Sequence, residues 1–318
     1  MPLLLLGIVL IIVLACTSLM VGASNVTLAG LMAGNEREWL LLVESRVPRM
    51  LSLILAGASM AIAGLLTQIV VRNRFVEPGT TGTVESAGLG LLVMTIIAPG
   101  APVIAKMGVG AVFAIIGTSL FLLILRRVSY RDAMLVPLIG ILLSGVIAAA
   151  ATFVAYRFDM MQTVLAWTQG DLSGILRGRY ELLWLGAIIA VGAWIAADRF
   201  TVAGLGRDMA LSLGVAHGKV VALGLAIVSL VTAVVVVTVG TIPFLGLIVP
   251  NLVSLALGDN MRRAVPWVAI SGAALVLGCD ILGRWLRAPY EIPVGTILGV
   301  IGSFVFLTLI LRKRSDAG

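Results

Sequence analysis

Charge is scarce in this sequence. Of 318 residues only 12% are Asp, Glu, Lys or Arg, against roughly a quarter in soluble domains, while 60% are hydrophobic and the mean hydropathy is +1.15. A water-soluble globule is excluded. Histidine is nearly absent: His217, the one copy, supports neither a His-rich metal site nor a His-based nucleophilic centre, which need several ligands or a partnered nucleophile. The two cysteines, Cys16 and Cys279, both lie in apolar segments, so a disulfide framework or thiolate cluster has no support. A phosphate-cradling loop is missing too, because the nearest match, Gly214 to Val220, lacks the spacing and the hydroxyl that cradling requires. No stretch long enough for a soluble domain, about 50 residues or more, escapes a long apolar run. Any soluble domain that works with this chain must therefore sit on another chain.

What is present is a succession of continuous apolar runs. Their lack of alternation favours helices over a transmembrane barrel, and at about 20 residues per crossing the chain accommodates about ten. They are placed at Leu3 to Val21, Met50 to Val71, Thr81 to Ala98, Val103 to Leu125, Ala133 to Ala155, Tyr180 to Ala197, Val220 to Val239, Ile242 to Leu257, Val265 to Leu282 and Val294 to Leu311. The expected fold is an all-α integral membrane protein, with residues 1–318 as a single transmembrane domain. The stretch before Cys16 carries no basic residue, so the first run reads as an uncleaved helix rather than a signal peptide. The third and eighth runs are interrupted by Glu85 and by Pro243 and Pro250, as helices packed inside a bundle can be.

The net charge of +7 reads as membrane orientation rather than nucleic-acid binding, since no soluble basic domain exists to present it. Basic residues are more numerous in the loops that share a side with the termini, among them Arg72, Arg126, Arg131, Arg207, Arg262, Arg263 and Lys313, which places both termini in the cytoplasm. The opposite side still carries Arg37, Arg46, Arg49, Lys106, Arg157, Arg177, Arg179, Arg284 and Arg287. Small residues at four-residue spacing, Gly57/Ala61, Gly140/Ser144 and Gly295/Gly299, mark close helix packing, either within one subunit or between subunits.

Few ionisable residues fall within the runs: Glu85, Lys106 and Asp280, with Arg284 one turn beyond Asp280 and positioned to neutralise it. A proton- or sodium-coupled carrier is expected to hold more buried carboxylates. Two stretches combine polar residues with helix punctuation. One runs from Arg46-Val-Pro-Arg49 through Gly57, Gly64 and Gln68 to Arg72-Asn-Arg-Phe-Val-Glu-Pro-Gly79-Thr-Thr-Gly82; the other is Gly240-Thr-Ile-Pro-Phe-Leu-Gly-Leu-Ile-Val-Pro250-Asn251, followed by Gly258-Asp-Asn260.

In order and spacing these stretches resemble the signatures of the FecCD-type permeases, the membrane subunits of ATP-driven importers of iron-siderophores, haem and vitamin B12. The resemblance extends from about Arg46 to Arg312 and includes Gly170-Asp171-Leu172, Leu213-Gly214-Val215 and Glu291-Ile-Pro293-Val-Gly295. It implies a type II ABC importer permease fold in the bacterial plasma (inner) membrane. It also implies a second permease subunit, identical or homologous, two cytoplasmic ATPase subunits and an extracytoplasmic substrate-binding protein. By position, the resemblance makes Arg46, Arg49 and Arg284 docking residues for the binding protein. The segment at about 200–219, with Gly206, Arg207, Asp208, Leu213, Gly214 and Val215, becomes a short amphipathic coupling helix toward the ATPase, ending at Gly214.

Thr67, Gln68, Thr81, Thr83 and Ser86 are candidates for the translocation pathway. Where the family commonly reads Asn-Pro-Leu-Ala-Asp-Pro-Gly, this chain has Asn73-Arg74-Phe75-Val76-Glu77-Pro78-Gly79, and Asn251 stands in place of a commoner His. With Trp167 and Tyr290, these variants resemble the ferric catecholate and petrobactin-like branch. The expected role is a transport subunit without bond chemistry, cofactor or resident metal, passing the chelate intact. Haem or vitamin B12 import is the alternative within the family, and a secondary transporter or channel independent of an ATPase is the alternative outside it.

Overall fold

The computed structural model describes residues 2–22, 27–125, 127, 135–258, 260–287 and 290–315. Arg126, Arg131 and Asp259 lie outside the described residues, as does the side chain of Lys313. Among the described residues every regular element is a helix. Helix α1 (Pro2–Met20) is followed by the short α2 (Leu28–Met32) and α3 (Glu36–Leu41), a π-turn at Leu42–Arg46, and α4 (Val47–Val71). A 3₁₀ turn at Pro78–Thr81 leads into α5 (Thr83–Ile97), then α6 (Val103–Leu125), α7 (Leu135–Arg157) and the short α8 (Met161–Thr168). The second half holds α9 (Leu182–Ile195), α10 (Ala197–Gly204), α11 (Arg207–Ser212), α12 (His217–Thr238), α13 (Leu245–Leu257), α14 (Met261–Leu286) and α15 (Val294–Ser315).

Each apolar run coincides with a helix. Among the described residues five helices are long and apolar enough to cross a membrane, six if α9 with α10, bent by 65°, is one span; four shorter apolar helices lie at Leu4–Met20, Thr83–Ile97, Leu245–Leu257 and Val294–Thr308. The largest boundary error is in the second run, placed from Met50, where the helix extends unbroken from Glu36 to Val71. Pro48 did not stop it because the preceding turn is π-wound: the Val47 N–H donates to Leu42 O. A wider turn accommodates a residue that lacks an N–H. His217, expected in a loop, is the first residue of α12. The eighth run, placed from Ile242, becomes helical only at Leu245, because Gly240 (φ 89°) and Phe244 (φ 61°) hold left-handed conformations around Pro243.

Helix α4 is the centre of the bundle, buried along most of its length against α14, α12, α13 and α9. Two glycines explain how it gets so close. A Cβ on Gly57 would sit 2.8 Å from Gly272 O of α14, and one on Gly64 would sit 2.2 Å from Gly246 Cα of α13. These contacts are backbone on backbone, the packing that small residues permit between membrane helices. Gly140 meets Thr80 O and Gly295 meets Gln169 O, so all three small-residue pairs contribute to packing within the subunit. The main core joins Leu53, Met60, Leu66, Phe200, Val231, Val235, Leu245, Val268 and Leu277, and a smaller one of Val71, Val76, Phe121, Leu125, Val136 and Leu143 lies between α6, α7 and the α4–α5 connection. Outward faces are apolar as well, for example Leu138, Ile141, Leu142 and Val146 on α7. That is the inverse of a soluble surface and suits contact with lipid.

Candidate functional site

At the end of the bundle expected to face outward, three helices converge on one ionic cluster. Arg49, in the first turn of α4, reaches Asp280 of α14 through Nη2 (2.7 Å) and Nε (3.1 Å), and Glu291 through Nη1 (2.6 Å). The other carboxylate oxygen of Asp280 lies 2.5 Å from Arg284 Nη2, so the pair foreseen from the i, i+4 spacing forms and is bridged to a second arginine. Arg284 also donates to Ser18 Oγ (2.7 Å), Ser18 O (2.9 Å) and Val21 O, while Arg46 donates to Leu19 O (2.6 Å). These are the carbonyls that the end of α1 leaves without helical partners, and guanidinium groups there complement the negative end of the helix dipole.

The cluster is sealed. The side chain of Asp280 is 0% exposed, those of Arg284 and Arg49 are 4% and 13%, and Glu291 is the most open member at 26%. Arg49 and Arg284 are thus committed to partners inside the subunit, whereas Arg46 is half-buried at its rim. A charge with this many internal contacts is a structural tie in this conformation, which spacing alone could not reveal.

At the opposite end, α10 and α11 follow one another and are joined through Leu205 and Gly206 (φ 107°). Helix α11 closes as expected: Val215 N–H donates to Ala210 O (2.8 Å) and Gly214 N–H to Leu211 O (3.0 Å), with Gly214 left-handed at φ 75°. This is a glycine-terminated helix end. Arg207, Asp208, Leu213 and Gly214 are exposed, Val215 is half-buried and Gly206 is buried against the Arg72 guanidinium. Leu205, Met209, Leu211 and Leu213 are each more than half exposed, an apolar surface beside charges. Beside this pair lies a cavity of about 340 Å³ lined by Gln68, Arg72, Asn73, Thr201, Gly204 and Pro250, among others.

The five pathway candidates lie inside the subunit. Thr67, Gln68, Thr81, Thr83 and Ser86 are all buried. Thr81 and Thr83 share a hydrogen bond (2.7 Å), Thr83 and Thr118 another (2.6 Å), and Gln68 Nε2 donates to Gly246 O (3.2 Å). The Thr83–Thr118 bond ties α5 to α6 and the Gln68–Gly246 bond ties α4 to α13, and Gln68 also lines the cavity beside α10. A hydroxyl at a helix–helix seam and one facing a pore have the same local sequence, so composition could not separate them.

Sequence reasoning noted Glu77 as a variant and missed its place. It is 5% exposed, and Oε1 accepts the Phe244 N–H (3.0 Å) at the start of α13. The signal lay in the Gly-Pro punctuation before α13, which implies a helix start that needs a cap.

Residues 9–312 match the FecCD transport family. The chain belongs to that family. Among its relatives, the petrobactin import system permease protein YclN of Bacillus subtilis (strain 168) is 43% identical over 97% of this chain and 98% of its own. The ferric-anguibactin transport system permease protein FatD of Vibrio anguillarum is 40% identical over 94% of this chain and 95% of its own. Relatives named for hemin transport, from Yersinia pestis, and for vitamin B12 import, from Serratia proteamaculans, are 29% identical over 99% and 88% of this chain and 97% and 84% of their own. The fold agrees with a solved metal-chelate type ABC transporter in an inward-facing conformation, at TM-score 0.83 and 22% identity over 98% of this chain and 99% of that one.

Proposed function

We propose that this chain is the membrane permease subunit of an ATP-driven, binding-protein-dependent importer that carries ferric siderophores into the cytoplasm. The observation that carries this reading is the end-to-end match, at 43% identity, with a permease named for petrobactin import. The lower identity to hemin and vitamin B12 permeases favours a petrobactin-like or other ferric siderophore over those cargoes. ATP is hydrolysed on two separate ATPase subunits, and a second permease, identical or homologous, completes the passage.

The ATPase is received by α11 and its flanks. The support is chemical: Leu205, Met209, Leu211 and Leu213 expose apolar surface beside Arg207 and Asp208, as a protein contact requires. The binding protein docks on the face built around Arg46, with Arg49 and Arg284 holding that face together from beneath; charges at the rim steer and orient docking more than they add affinity. Both termini are cytoplasmic in this reading. The passage runs along faces left open on the single subunit, among which α15 offers exposed Thr296 and Ser303. In this reading the chelate crosses intact.

The test is uptake of radiolabelled iron, presented on petrobactin, a simpler catecholate, hemin iron and labelled vitamin B12, in a deletion strain supplied with this subunit. Petrobactin-dependent uptake that vanishes when the ATPase is removed supports the proposal. Uptake that survives ATPase removal supports a secondary transporter instead, and uptake of hemin or B12 alone overturns the cargo.

A further inference from the structure

Helix α13 begins inside the bundle rather than at its surface. Its first turn packs through Gly246 against Gly64, about 10 Å before the end of α4. Its preceding residue, Phe244, packs against Gly302, about 12 Å into α15. Between α12 and this point the backbone is unwound, and it is pinned at its far end by Thr241, whose N–H and Oγ1 donate to Trp167 O (3.0 Å) and Thr168 O (2.7 Å). A helix that starts at depth leaves N–H groups that water cannot satisfy, and α13 has no side-chain cap of its own.

Glu77 supplies what is missing. It reaches in from the α4–α5 connection, itself braced by Thr80, whose Oγ1 accepts the Glu77 N–H at 2.9 Å and whose N–H donates to Glu77 O. Besides the Phe244 N–H bond, its second oxygen, Oε2, is buried without a hydrogen-bond partner and lies beside Gly246. Among the described residues Glu77 forms no ion pair. Its side chain also accepts the Thr80 N–H in the capping box of its own 3₁₀ turn, so the buried carboxylate is compensated by backbone N–H groups alone, those of that turn and of the positive end of the half-helix. A second tie joins the same connection to α13 further along, where Asn251 Nδ2 donates to Arg74 O (2.8 Å).

We propose that Glu77 is a positioning residue for transport: its negative charge holds the start of α13 at depth and so keeps the segment 240–244 unwound. The connection 73–82 and α13 then move as one body, with the unwound segment as the hinge. The part this plays in import rests on the permease reading above, but the position itself is testable without transport.

The experiment uses the full subunit assembled with its ATPase in proteoliposomes, with Cys16 replaced by Ala and a reporter Ile242→Cys placed in the buried unwound segment. The rate of maleimide labelling at position 242 is compared in Glu77, Glu77→Gln and Glu77→Asp backgrounds. Gln fills the same space and still accepts a hydrogen bond, so a space-filling or neutral capping role leaves labelling unchanged, and that result overturns the inference. Loss of a charge at a partly buried helix start, about 1–2 kcal/mol, predicts labelling faster by about 5- to 30-fold at 1.4 kcal/mol per decade, with Asp restoring protection. Native Cys279, 2% exposed, reports on folding: if it too becomes reactive in Glu77→Gln, the Asp variant decides, and exposure of position 242 there overturns the proposal. Failure of the unsubstituted transporter to import ferric siderophores counts against the permease reading and leaves the labelling result to judge Glu77.

Discussion

Replacing Asp280 with Asn keeps the size of the side chain at the centre of the ionic cluster and removes its charge. Two guanidinium groups then lose a common partner. Arg49 retains Glu291, but Arg284 loses its ion pair while its side chain stays 4% exposed. Removing one partner of a buried pair typically costs about 3–5 kcal/mol, because the remaining charge can no longer be solvated. The end of α1 softens as well, since Arg284 is held in place for Ser18 and Val21 by Asp280. The retained Glu291 contact and the α1 carbonyls put the expected loss near the low end, about 3 kcal/mol, or on the order of 4–5 °C in melting temperature for a chain of this length. The assay is thermal unfolding of the detergent-solubilised subunit followed by size-exclusion chromatography. Replacing both members with apolar residues, Asp280→Leu with Arg284→Met, removes the uncompensated charge, so the double variant should recover more than half of the loss suffered by Asp280→Leu alone. An Asp280→Asn protein that melts within ~2 °C of the parent, or a double variant no better than the single, would refute the view that this cluster ties α1, α4 and α14 together.

Other outcomes follow from the same geometry. Gly64→Ala should abolish a folded subunit in membranes, because its methyl group would lie 2.2 Å from the Gly246 backbone, which no side-chain motion can relieve; Gly88→Ala, with nothing within 4 Å, should express normally. Met209→Asp with Leu211→Asp should leave the subunit stable but prevent its co-purification with the ATPase. Arg46→Glu should lower uptake with a smaller drop in melting temperature than Arg49→Glu, since Arg46 gives up its bond to Leu19 O whereas Arg49 gives up ion pairs to both Asp280 and Glu291. Thr83→Val should cost about 1 kcal/mol through the lost Thr118 bond and leave the choice of siderophore unchanged, as measured by competition in uptake assays.

The bundle was legible because hydrophobic runs of bilayer length report a helix's solvent, and lipid imposes that pattern along each run independently. Boundaries were less so. Pro48 looks like a helix start in one dimension but is absorbed by a π-turn, and the late start of α13 depends on what Gly240 and Phe244 pack against. Helix α11 was legible to its closing glycine, since Gly214 terminates it by a local conformational rule. The contacts of Arg49, Arg284, Thr83 and Gln68 were not, because which residue a polar side chain meets depends on residues far away in the chain.

By itself, then, the amino-acid order determined the membrane class, the helices, the family signatures and the local Asp280–Arg284 pair, all features set by neighbours within a turn or two. Only the tertiary structure decided that Arg49 closes that pair into a buried cluster with Glu291, and that Glu77 serves a helix start 167 residues away. The reason is physical: in a low-dielectric interior a charge or an open backbone group must find its partner wherever the packing of helices delivers one.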